Sequence, residues 1–210
     1  MKPLILIALS LTLAWNILAF PPDCRFADLH FACPAGFKPV PIESAQPFAF
    51  FYYKKYDVGL FVAAPPPEFD ESAYMTNVNK TTLAKMFPKA SQAFSWKKAD
   101  FSGSFSKFEV GHAMVLGFNG SLGVLVKYRH LKLNGRDIIV GYTSEFGRQS
   151  EGKEAFERGF GGDSMPGCYA TVDVIYSITG EKMPENNPCD LVGIIGQDVS
   201  SSGAVQRAWS

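Results

Sequence analysis

The sequence predicts an α+β domain built on a mainly antiparallel sheet, with two short helices and disulfide-stapled loops. Three observations carry that expectation: β-rich runs follow one another along the chain, an Asn-Gly pair sits between two of them, and helical segments are too few to supply parallel crossovers. An all-β sandwich or barrel is the alternative. Phe48–Tyr53 and Tyr56–Ala63 read as strands, forming a hairpin or one bulged strand, before Pro65, Pro66 and Pro67 stop regular pairing. The acidic stretch Glu68, Asp70 and Glu71 reads as a solvent-exposed loop. Asn79 or Thr81 starts a short helix through Phe87, and Pro88 ends it.

Phe108–Phe118 and Leu122–Leu133 read as two sheet segments. The hairpin centred on Asn134 and Gly135 is the sharpest local expectation, because this pair adopts the positive backbone angles of a two-residue turn. Pairing Leu133 with Arg136 puts Lys132 opposite Asp137, Arg129 beside Val140 and Lys127 beside Tyr142, with the long basic stems covering apolar surface and their charges in water. Ser150 caps a helix over Glu151–Arg158. Ala170–Ile178 alternates as a strand, and Leu191–Ile195 is a last one.

Residues 1–20 form a targeting segment. Lys2 precedes the apolar run Leu4–Ala14, and Ile17–Phe20 extends it to Pro21 and Pro22, the pattern of a signal peptide or of a retained N-terminal anchor. Residues 21–210 then make a single exported domain, opening on a Pro-rich leader over 21–47 that is extended and tied down by its cysteines instead of forming regular structure. An even set of cysteines in an exported chain indicates disulfides, and proximity pairs Cys24 with Cys33 and Cys168 with Cys189.

Twenty Lys and Arg balance 20 Asp and Glu, so electrostatics gives no reason to expect nucleic acid as a partner. Nothing after the N-terminal segment reads as a membrane span, and no cofactor motif is present. Asn79-Lys80-Thr81 and Asn119-Gly120-Ser121 match the N-glycosylation acceptor pattern. Glu109 and His112 fall on opposite sides of a regular strand, which counts against a joint metal site. His130, on the side of its hairpin facing Ile139, reads as a hydrogen-bonded or partly buried imidazole.

The chain holds 18 Phe. Most belong to a core, but Phe94, Trp96, Phe101, Phe105 and Phe108 are clustered among serines and lysines and are the candidate recognition patch. The favoured function is a secreted or periplasmic non-enzymatic binding or accessory protein, its partner an extracellular protein or an apolar small molecule. A serine-dependent hydrolase is the alternative and needs Ser121 or Ser164 within reach of His30, His112 or His130, with an acid orienting the His. A structural envelope or extracellular protein is the third reading.

Overall fold

The computed structural model describes residues 23–88, 94–100, 104–119, 122–147, 165–185 and 189. A short hairpin comes first, β1 (Asp23–Phe26) with β2 (Leu29–Ala32), followed by β3 (Lys38–Pro39), β4 (Phe48–Tyr53) and β5 (Val58–Ala63). Helix α1 (Glu71–Met86) precedes β6 (Ser95–Asp100), β7 (Glu109–Asn119), β8 (Leu122–Leu133) and β9 (Arg136–Gly147), and α2 (Met165–Thr179) follows. Seven strands form one antiparallel sheet in the order β3-β4-β5-β9-β8-β7-β6. The class is the expected α+β, and the described strands close no barrel.

The β8–β9 hairpin has the expected register: Leu133 pairs with Arg136, Lys132 with Asp137, Arg129 with Val140 and Lys127 with Tyr142. Asn134 and Gly135 both take positive φ, 52° and 79°, as a two-residue turn matching strand twist requires. β4 and β5 form a hairpin, with Phe50 opposite Phe61.

Alternation along the strands divides two cores. One face carries Leu60, Leu125, Leu131 and Val140 against Val172 and Ile175 of α2, and Leu29 and Phe31 of the β1–β2 hairpin pack there too. The other face carries Phe50, Phe61, Val126 and Ile139 against Tyr74, Met75 and Val78 of α1. Disulfides Cys24–Cys33 and Cys168–Cys189 join the expected partners.

Four local expectations are corrected. The leader is not devoid of regular structure, since Cys24 and Cys33 staple the β1–β2 hairpin. Helix α1 begins earlier than expected: Asp70 is its N-cap, accepting from the Ala73 N–H at 3.0 Å, and Glu71 opens the first turn. The stretch 170–178 is helix, not strand. Its exposed or half-exposed residues Tyr169, Asp173, Tyr176 and Ser177 recur at helical spacing, while Cys168, Thr171, Val172 and Ile175 are buried. Lastly, the charges of the β8 bases do not all reach water: Arg129 is only 5% exposed. The segments 151–158 and 191–195 lie outside the described residues.

Candidate binding groove

Between α1 and the edge strand β6 the sheet face opens into a groove of about 590 Å³. Its helix wall comes from Ser72, Met75, Thr76 and Asn79, spaced as one face of α1. The opposite wall is Phe94 and Trp96, and Val115 of β7 and Tyr128 of β8 also line it. Strand alternation turns Trp96 and Lys98 to this same face.

Trp96 is 40% exposed, and its ring lies 5.5 Å from that of Phe94 at a tilt of 32°. Trp96 pairs across the ladder with Gly117. A Cβ at Gly117 would come within 2.6 Å of the indole and 3.0 Å of the Phe94 ring, so the aromatic pair occupies space that only glycine leaves open.

A polar network flanks the groove at the start of α1. Glu71 accepts from the Tyr128 hydroxyl at 3.0 Å and pairs with Lys98 at 3.5 Å. Its other oxygen lies 3.2 Å from His130 Nδ1, while His130 Nε2 lies 2.8 Å from Asp137, which also pairs with Lys132 at 3.6 Å. Both imidazole nitrogens therefore face carboxylates, so neither is directed at a serine nucleophile. His130 pairs opposite Ile139 and is partly buried, as its strand position implied.

The opposite sheet face carries a second charged cluster, sealed under α2. Val110 is an extra residue in β7, 59% exposed, and the ladder shifts register between Glu109 and Gly111. That bulge corrects the expectation for a regular strand: Glu109 and His112 both share the Arg129 side, Glu109 by ion pair and His112 by register. Arg129 also stacks on Phe105, 3.2 Å from the ring centroid. Burial holds the Glu109 carboxyl above its usual range even though Arg129 pulls the other way. Burial, with the Arg129 charge beside it, pushes Lys127 down to about 8. The space here is about 20 Å³, enough for water but not for a substrate.

The five aromatic candidates are thus divided. Phe94 and Trp96 share the groove; Phe105 packs into the α2-side core, and its carbonyl accepts from the Tyr176 hydroxyl at 2.5 Å. Phe108 is half-buried with Lys107 Nζ 5.0 Å from its ring, and Phe101 lies outside the described residues. Ser121 and Ser164 lie outside them as well. Among the described residues no group of three or more His, Cys, Asp or Glu is placed to hold a metal ion, and no helix is long and apolar enough to cross a membrane.

Sequence reasoning missed Asn79 as part of the groove. Asn79 sits mid-helix and is 5% exposed. Asn119, the other acceptor position, ends β7. The helical spacing of Ser72, Thr76 and Asn79 was the available signal, hidden because the helix was expected to start only at Asn79 or Thr81.

Among the described residues, fold and groove together define an α+β fold with two disulfides and an aromatic-walled cleft on the α1 face. No protein-family model matches the chain, and no curated protein matches it. Among solved structures it is distantly similar to a point mutant of the protein Mog1, at 7% identity over 75% of this chain and 92% of that one, with a TM-score of 0.40. It is also distantly similar to LpqN, described as involved in cell envelope biogenesis of Mycobacterium tuberculosis, at 11% identity over 73% of this chain and 81% of that one, with a TM-score of 0.32.

Proposed function

We propose that this is a secreted or periplasmic, non-enzymatic binding or accessory protein whose recognition site is the Phe94–Trp96 groove. The observation that carries the reading is an exposed indole stacked on a second ring at the wall of a 590 Å³ cleft. Clefts of about 300–1,000 Å³ with apolar walls and a few polar groups are the usual form of small-molecule sites. Export is supported by the N-terminal apolar segment after Lys2 and by two disulfides with no free cysteine, a combination that persists in oxidising compartments.

The engagement of both His130 nitrogens by Glu71 and Asp137 counts against a hydrolase centred on that imidazole. The test is native mass spectrometry of protein purified from the exported fraction, with Trp96→Ala beside it. A small molecule retained by the parent and lost from the variant is the expected result. Retention that is indifferent to Trp96, or no retention together with no binding of any ring compound, overturns the reading.

A further inference from the structure

His130 sets one imidazole between two carboxylates: Nε2 lies 2.8 Å from Asp137 of β9, and Nδ1 lies 3.2 Å from Glu71 in the first turn of α1. A neutral imidazole carries one N–H and one lone pair, so it donates to one carboxylate and turns its lone pair on the other. The doubly protonated ring donates to both. The nearer and more buried carboxylate keeps the N–H of the neutral ring, since the Asp137 side chain is 13% exposed against 34% for Glu71. The contact that comes and goes with the second proton is therefore the one to Glu71.

The other groups around the ring do not replace that contact. Lys98 of β6 and the Tyr128 hydroxyl both reach Oε1 of Glu71, whereas His130 faces Oε2. Lys132 pairs with Asp137 at 3.6 Å. Both lysines share the sign of the imidazolium, but their side chains are about half exposed and screened by water. Asp70 accepts from the Ala73 N–H, β7 sets Gly111 opposite His130, and the Phe69 ring lies 5.5 Å from the imidazole. Glu71 opens α1, and Ser72, Met75 and Thr76 of the groove wall follow within the next two turns.

We propose that His130 is a pH-sensitive clip: doubly protonated, it pins the first turn of α1 to β8 and β9, and on losing one proton it releases Glu71 and loosens the helix wall of the groove. Histidine changes charge between pH 5 and 8, a range in which carboxylates are generally ionised, so the clip closes on acidification. The inference goes beyond the binding reading and does not rest on it, because the clip acts on α1 whatever the groove holds.

The test compares the full exported chain at pH 5.5 and 8. Ring nitrogen NMR shifts, assigned to His130 by their loss in His130→Gln, should show an N–H on both nitrogens at pH 5.5 and on Nε2 alone at pH 8. Hydrogen-exchange protection in the first turns of α1, corrected for the intrinsic pH dependence of exchange, should be about two- to fivefold greater at pH 5.5, the value of one partly exposed charged contact. His130→Gln should lose that difference. Asp137→Asn separates a clip from a histidine that merely packs: its amide donates to Nε2, the neutral ring turns an Nδ1–H to Glu71, and protection at pH 8 should rise to the parent's level at pH 5.5.

Nδ1 protonated at both pH values or at neither, α1 protection that does not change with pH in the parent or changes equally in His130→Gln, or no rise at pH 8 in Asp137→Asn overturns the inference. None of these readouts involves a ligand, so their failure leaves the binding reading standing, and loss of the binding reading leaves the clip intact.

Discussion

Raising the pH from 7 to 9.5 should stabilise this protein through one half-buried lysine. Lys127 points from β8 toward α2, on the same side as Arg129 and opposite Tyr142, and it lines the small cavity beneath Cys168 and Thr171. Burial and the neighbouring guanidinium bring its pKa from 10.5 to about 8 in the folded state. Below pH 8 the ammonium is charged in both states, and the fold bears the cost of burying it. Between about 8 and 10.5 the folded lysine has released its proton while the unfolded one retains it, so the unfolded state binds more protons and stability rises with pH. From 8 to 9.5 the gain is about 2 kcal/mol at 1.36 kcal/mol per pH unit. The window ends below the ionisation of Tyr52 and Tyr74, both pushed up to about 12, which act in the opposite direction at higher pH. Urea unfolding of the parent and of Lys127→Met at pH 7 and 9.5 checks it, because the difference between the two proteins removes every other titrating group. The parent should gain about 2 kcal/mol relative to the variant across that range. A difference that does not move with pH would show that Lys127 keeps a solvated ammonium, and the assignment of a desolvated cluster under α2 would be refuted.

Three further outcomes follow from the same packing. Replacing the buried pair together, Glu109→Met with Arg129→Met, should change unfolding stability by less than about 1 kcal/mol or increase it, since removing both charges also removes their desolvation cost; urea midpoints decide it, and a loss above about 3 kcal/mol would contradict the argument. Removing the second disulfide as Cys168→Ala with Cys189→Ala should lower stability by about 3 kcal/mol, the chain-entropy value for a loop of this span, and non-reducing peptide mapping of the parent should recover both linkages. Gly117→Ala should displace the Trp96 ring, read as a shift in tryptophan emission and a loss of ring-probe binding with no more than about 3 kcal/mol lost in stability.

The parts of the fold that were legible in the sequence are those fixed by short-range chemistry. Asn134 and Gly135 impose positive φ at adjacent positions, and once that turn is set the period of two fixes the pairing from Leu133 with Arg136 back to Lys127 with Tyr142. Cysteine proximity likewise gave both disulfides. Helix α2 reads as a strand in sequence because Thr171, Val172, Val174, Ile175 and Ile178 are β-branched and Val172, Val174, Tyr176 and Ile178 recur at every second position. Burial against a sheet face outweighs that local preference. Its helical signal lay in Tyr169, Asp173, Tyr176 and Ser177, residues whose shared exposure becomes visible only when the buried side is known. The start of α1 was legible in principle, since Asp70 before Glu71 is an N-cap pattern, but the acidic run also has the composition of a solvated loop.

The groove could not be read in advance because it arises from a mismatch of widths, which no local segment encodes. Seven strands at about 4.8 Å spacing make a sheet roughly 29 Å across, whereas a helix with its side chains covers roughly 10–12 Å. On one face α2 is joined by the β1–β2 hairpin, which carries Leu29 and Phe31 into the same core. On the other face, among the described residues, one segment flanks α1: Val40 and Ile42 pack into the same core, Ser44 Oγ donates to Asn77 at 2.8 Å, and the Tyr74 hydroxyl donates to the Pro47 carbonyl at 2.6 Å. That segment seals the side of α1 toward β4. Toward β6 the described residues supply no counterpart, and there Phe94 and Trp96 stack over Gly117. An apolar strip would by itself be only a surface. In this groove Ser72, Thr76 and Lys80 put polar side chains on the helix wall across from Phe94 and Trp96, the mix of apolar surface and a few polar groups on which the binding reading rests.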